Sequence, residues 1–258
     1  MMLLLTALLL LFLPGIASAQ GITTDAESIT ITINHDDGGK KGKRHMLDLL
    51  AALNNEGCRA ISADKSTAMP AQLLFDSRPS YITRKEMPDY KFIARAKTLY
   101  GALNVRGAIL VQASRGITDL SLLKGEWIGF VSKESWSGYI LTVQLLQEAG
   151  IDENSNTFYP IDNHVGPVSG LLHRDVTIAI IAEPLAQRWA EKNGLSIVAV
   201  SDAVETGGWW IHKNVSEILT LKCTQALLKL DRSHHKVLPA WIDGFVIPEN
   251  HESKGFKN

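Results

Sequence analysis

From Ile29 onward the chain changes its hydrophobic rhythm in a regular way. Ile29, Ile31 and Ile33 alternate with polar residues, the period of two expected of a half-buried strand. After a Gly- and Lys-rich loop, "HMLDLLAALNNEG" places Leu47, Leu50 and Leu53 on one helical face and stops at Gly57. "CRAISAD" reads as a second strand, and the stretch from Ser66 to Pro79 has no clear period. "SYITRKE" reads as a short helix, and "YKFIARAKTLYG" and "VRGAILVQA" as extended segments. Beyond them come a short helix or turn at "LSLLKG", a strand at "WIGFV" and a helix at "SGYILTVQLLQEAG", with Leu141, Leu145 and Ala149 on one face. "TFYPI" is extended, "HVGPVSGLLHR" partly helical, and "VTIAIIAE" a continuous apolar strand. "PLAQRWAEKNG" is a helix between Pro184 and Gly194, "LSIVAVS" and "GWWIHK" are strands, and "VSEILTLKCTQALLKLD" is an amphipathic helix. Strands alternating with helices, one of them apolar throughout, predict an α/β protein with parallel sheets covered on both faces. The pattern divides into two lobes, the second running from about 108 to 206.

Composition narrows the class. The 258 residues carry a net charge of -1, and the only dense basic run is Lys40 to Arg44, so a broad nucleic-acid face is not expected. The opening "MMLLLTALLLLFLPGIASAQ" is an apolar run followed by Ala17-Ser18-Ala19, a small-x-small site. It reads as a signal peptide over residues 1–19, cut before Gln20, although no Lys or Arg precedes the run. The run is short for a membrane anchor, and no cysteine follows it to carry a lipid. A periplasmic or secreted protein is expected. Export permits a disulfide, but Cys58 and Cys223 are distant and form no spacing motif, and they are read as two buried free thiols.

The most informative short stretch is "KESWSGYI", Lys133 to Ile140, between a strand and a helix. Ser135 stands at an N-cap position, with Trp136, Ser137 and Gly138 in the first turn. Such a stretch can close the helix end, cradle an anion on free N–H groups at the positive end of the dipole, or present a nucleophilic serine. No G-x-S-x-G surrounds Ser137, which leaves the nucleophile without support. Glu183 ends a buried strand, where open α/β sheets place ligands. Other motifs fail on spacing. "HDDGGKKGKR" lacks one residue of a P-loop and puts Arg44 at the Ser/Thr position, so it is read as a solvated basic loop. "DENSNTFYPIDN" has Thr157 and Asn163 where a calcium loop needs Gly and Glu. His234 and His235 are adjacent and do not aim at one metal, and no cofactor is expected. Trp209 and Trp210 are either packing or, for one ring, a cleft lining.

Taken in order, "PDYKFIARAKTLYG", "VRGAILVQASRGITDLSLLKGEWIGFVSKESWSGYILTVQLLQEAGID", the histidine of "IDNHVGPV" and "VTIAIIAE" resemble the phosphonate-binding family of ABC-transporter periplasmic proteins, from Asp89 to Glu183. The resemblance implies a type 2 periplasmic-binding fold: two α/β lobes joined by two crossing hinge strands that close on a small ligand. Applied here, it implies lobe 1 over 20–107 and 207–258 and lobe 2 over 108–206. It implies no catalysis, but capture of a phosphonate or phosphate-like anion and delivery to an ABC permease. The other reading is an exported ligand-sensing or accessory subunit of a membrane sensor or redox system with the same fold. Ser135, Ser137 and Gly138 are implied to clasp the anion, His164 to donate to it, Glu183 to meet a ligand amine, and Tyr100 or Tyr81 to close from the first lobe. Trp136 replaces a small hydroxyl residue of the family pattern, so one donor is exchanged for a ring. "STAMPAQLLFDSRP" replaces the family's helix and G-x-x-D segment in the first lobe.

Overall fold

A computed structural model describes residues 28–34, 40–63, 70–234 and 236–249. The leader and the start of the Gly-rich loop lie outside them. In chain order the first half contains β1 (Ile29–Asn34), α1 (Lys40–Asn55), β2 (Ala60–Ser62), β3 (Leu73–Asp76), α2 (Ser80–Glu86), β4 (Tyr90–Thr98), β5 (Asn104–Val105) and β6 (Gly107–Gln112). The second half contains β7 (Trp127–Phe130), a π-turn (Trp136–Ile140) running into α3 (Leu141–Glu148), β8 (Thr157–Pro160), α4 (Gly166–His173), β9 (Ile178–Ala182) and α5 (Glu183–Asn193). It closes with β10 (Leu195–Val200), β11 (Val204–Glu205), β12 (Gly208–His212), α6 (Glu217–Leu228) and β13 (Ile242–Val246).

Two sheets form the two lobes. One has the order β13-β4-β12-β3-β1-β2 and the other β10-β6-β9-β7-β8. Between them β5 and β11 pair antiparallel, Asn104 opposite Glu205 and Val105 opposite Val204. Both sheets are mixed, where the apolar strands had predicted parallel ones. In lobe 2 only β6 runs against its neighbours, because it starts at the crossing point while the others end there or run alongside. In lobe 1 the returning β12 is antiparallel to both β3 and β4 for the same reason. The carboxyl ends of β7, β8 and β9 therefore point toward the crossing, level with Gly107.

Helix faces obey packing more closely than the leucine spacing suggested. In α1 Leu49, Leu50 and Leu53 are buried, while Leu47 is 65% exposed. Residues two apart on a helix point about 200° away from each other, so Leu47 and Leu49 cannot share a face, and the sheet took the face with the i, i+4 pair. The helix starts at Lys40, so the basic run is helical rather than a loop. Its end agrees with expectation: Gly57 has φ 84° and Cys58 N–H reaches the Leu53 carbonyl. In α3 the buried residues are Thr142 and Leu146, one position beyond the expected Leu141 and Leu145. The π-turn ahead of α3 inserts an extra residue and rotates the faces of the helix after it.

Trp209 and Trp210 go to opposite faces of the lobe 1 sheet and are 0% and 1% exposed. Trp209 meets Phe75 edge-on at 5.3 Å, and Trp210 stacks on Phe92 at 4.5 Å. The pair is packing, and neither ring lines a cleft.

The reading of Cys58 and Cys223 as free thiols is corrected: they form a disulfide, Cα to Cα 4.5 Å, both fully buried. α1 and α6 lie side by side on one sheet face, which brings together residues separated by 165 positions. Such a long loop constrains the unfolded chain strongly, a contribution of about 2–5 kcal/mol. Reduction, or Cys58→Ala with Cys223→Ala, is expected to lower Tm by about 5–15 °C, read by differential scanning calorimetry; an unchanged Tm would show that the bond does not constrain the fold.

Candidate functional site

Lobe 2 supplies a polar turn at the carboxyl end of β7. Ser135 has extended backbone, φ -72° and ψ 116°, and its Oγ accepts the Gly138 N–H at 3.2 Å, as an N-cap should. The next turn is wider than an α-helix: Ile140 N–H reaches the Ser135 carbonyl at 3.0 Å. Trp136 and Ser137 thus lead a helical segment with N–H groups that have no acceptor inside it. The Ser137 side chain is buried and makes no hydrogen bond to the described residues. Trp136 is half-buried. Gly138 is forced by space, since a Cβ there would lie 2.3 Å from Val131 Cγ2 and 2.7 Å from Ser135 Oγ. Tyr139 anchors the turn against Phe130 at 4.7 Å, and burial raises its phenol above the ordinary value.

His164 comes to this turn from the loop after β8. Asn163 Oδ1 accepts the N–H groups of Val165 and Gly166 at 2.9 and 2.8 Å, which caps α4 and holds the loop. Asp162, with φ 44°, makes the bend. The imidazole is buried, and its Nδ1 accepts the Ala182 N–H at 3.2 Å. In the neutral ring the proton is then on Nε2, which makes that nitrogen a donor. Nδ1 is already engaged and cannot serve Ser135 or Ser137 as a base.

Ala182 pairs with Gly107, and a Cβ on Gly107 would stand 3.0 Å from the Ser137 carbonyl. The first residue of β6 thereby joins the Ser135 turn, the His164 ring and Glu183. Glu183 opens α5, donates its N–H to the Arg106 carbonyl at 2.9 Å, and accepts from Gln187 Nε2 at 3.1 Å. Ser135, Trp136, Ser137, Gly138, His164 and Glu183 lie on one end of one sheet. Tyr100 is not among them. It stands 55% exposed on the turn after β4, where Gly101 N–H bonds the Thr98 carbonyl.

Lobe 1 faces the crossing with residues the sequence pattern had not singled out. Asp76, Gly208 and Arg95 form one row at the carboxyl end of β3. Asp76 is 1% exposed and accepts from Arg78 Nε at 2.9 Å, Arg78 Nη2 at 2.7 Å and Thr83 Oγ1 at 3.1 Å. Hydrogen bonding to Asp76 raises the Arg78 guanidinium above its already high range, against the effect of burial. Ser80 Oγ donates to Glu205 Oε2 at 2.6 Å, and Arg95 Nη2 reaches the same oxygen at 3.2 Å. The signal for this wall was the pair Gly207-Gly208. A Cβ on Gly207 would lie 2.1 Å from the Asp76 carbonyl oxygen, so the return strand must pass backbone to backbone.

Two mixed α/β sheets joined by two extended crossings, with polar groups gathered where both sheets end, define a hinged, two-lobed binding protein. The family model described as "ABC transporter, phosphonate, periplasmic substrate-binding protein" matches residues 69–252, and the chain belongs to that family. Its members are binding components of transporters. Among solved structures, the chain is similar to PhnD1 from Prochlorococcus marinus in complex with methylphosphonate, at 13% identity and TM-score 0.62, covering 88% of this chain and 94% of that one. It is also similar to a binding protein component of an ABC phosphonate transporter from Pseudomonas aeruginosa, at 13% identity and TM-score 0.60, covering 86% and 81%. No curated protein sequence matches the chain. Among the described residues, no helix is long and apolar enough to cross a membrane.

Gly138→Ala tests the geometry of the turn. The methyl group must displace Val131 or Ser135, which is expected to cost about 1–3 kcal/mol in chemical denaturation. A loss below that range would mean that the turn yields easily and is not a rigid cradle.

Proposed function

We propose that this protein captures a small oxyanion of the phosphonate class between its lobes and presents it to an ABC permease. The observation that carries the reading is the Ser135–Gly138 turn: Ser137, a largely buried residue whose hydroxyl makes no hydrogen bond to the described residues, beside first-turn N–H groups and the imidazole of His164. All are donors, and the hydroxyl and N–H groups stand at the positive end of one helical segment. A tetrahedral oxyanion needs several donors converging from different directions, and it needs no base. Trp136 flanks the donors with an apolar surface, which suits a ligand bearing a carbon substituent. Glu183, half-buried at the rim, suits a substituent with a positive charge.

A thermal-shift series with methylphosphonate, phosphate and sulfate tests the reading. Ligand at one hundred times Kd stabilises by about 2.7 kcal/mol, a shift of several degrees. Methylphosphonate is expected to raise Tm, and Ser135→Ala with Ser137→Ala to abolish the shift. No shift with any of the three anions, or a shift that survives the double substitution, overturns the proposed site.

A further inference from the structure

The polar wall of lobe 1 contains two arginine–carboxylate pairs of unlike character. Arg78 is saturated: Asp76 takes its Nε and Nη2, and Glu86 takes Nη1 at 2.5 Å. Arg95 is not. Its side chain is only 7% exposed, its Nε has no hydrogen-bond partner among the described residues, and its Nη2 has one long contact, to Glu205 at 3.2 Å. The guanidinium centre lies 5.8 Å from the Phe92 ring centroid. A buried guanidinium with an idle donor is costly unless something completes its fork, and the group that matches the fork is a carboxylate or phosphate-like oxyanion.

The oxygen now in front of it has the coordination of a bound anion. Glu205 Oε2 accepts a short bond from the Ser80 hydroxyl and a longer one from Arg95. Yet Glu205 is the least buried member of the group, its side chain 43% exposed, and its backbone belongs to β11, the short crossing strand paired with β5. Ser80 and Arg95 belong instead to α2 and β4, inside lobe 1. The carboxylate is therefore mounted on the element that must flex when the lobes move, and the donors on elements that need not.

We propose that Ser80 and Arg95 are the lobe 1 half of the oxyanion site, and that Glu205 is an internal competitor that fills it until a ligand displaces it. The proposal rests on the reading of lobe 2 as an oxyanion cradle. The ligand's phosphonate oxygens take the hydroxyl and the guanidinium, including the idle Nε. The Glu205 carboxylate moves into solvent, and β11 is released from lobe 1. Because the empty site is occupied by the protein itself, apparent affinity is reduced by the fraction of molecules in which Glu205 is out.

Isothermal titration of methylphosphonate into the full protein tests this, in wild type, Glu205→Ala, Glu205→Gln, Arg95→Met, Ser80→Ala and the double variant Glu205→Ala/Arg95→Met. Both Glu205 variants are expected to tighten binding at least tenfold, and Ser80→Ala and Arg95→Met to weaken it. In the Arg95→Met background, removing Glu205 is expected to change little, because the site it blocked is gone. If the gain persists there undiminished, Glu205 acts only through its charge and the competitor role is wrong. Should Arg95→Met fail to fold, the same comparison is made in Ser80→Ala. Unchanged or weaker methylphosphonate binding in Glu205→Ala overturns the inference while leaving the lobe 2 cradle intact. Weaker binding confined to aminomethylphosphonate makes Glu205 a partner for a ligand amine and also overturns it. Absence of oxyanion binding in wild type overturns both proposals.

Discussion

The antiparallel pair β5–β11 is the constraint on which the rest of the structure depends. Because the chain, among the described residues, passes between the lobes at these extended segments, each sheet has strands that begin at the crossing and others that end there. β6 and β12 begin there, while β7, β8, β9 and β3 end there. The carboxyl ends of buried strands carry the turns and helix starts with spare N–H groups, so two such ends facing one gap make a binding site from ordinary α/β geometry. Glycine makes the crossing possible. Gly207 and Gly208 let the return strand pass against the backbone of 76–78 and 94, and Gly107 lets β6 begin against the Ser137 carbonyl.

The two lobes present opposite solutions to buried polarity. In lobe 2 the donors are neutral: a hydroxyl, main-chain N–H groups and an imidazole whose tautomer is set by Ala182 N–H. They need little compensation when empty. Lobe 1 uses full charges, which do need it. Asp76 and Arg78 compensate each other, and the incomplete partnership of Arg95 with Glu205 is left at the hinge. The disulfide that joins the turn after α1 to α6 lies in the lobe 1 core, in one cluster with Leu49, Leu53, Leu219 and Leu227.

Much of this architecture was legible from periodicity. The alternation in Ile29–Asn34, the apolar run of β9, the Pro184 and Gly194 limits of α5 and the N-cap at Ser135 are local properties, and each was realised. The lobe 2 cradle was legible because its donors lie in one turn and one nearby loop, in an order that matched a family pattern. Lobe 1's wall was not, because Asp76, Ser80, Arg95 and Glu205 come from four elements spread over about half of the chain, and none sits in a motif.

What the sequence determined by itself was whatever depends on neighbours within a turn or two: element types, helix limits and the cap. Tertiary structure decided the choices that local chemistry leaves equal. It took Leu49 over Leu47 for the core face of α1 and Thr142 with Leu146 for α3, because a packed sheet admits only one face of each helix. It ran β6 and β12 against their neighbours, because apolar content makes a strand buried but does not give its direction. It buried both Trp209 and Trp210, one on each side of the same sheet. It joined Cys58 to Cys223 because disulfide formation depends on the distance between two Cβ atoms, a quantity that a sequence separation of 165 does not contain.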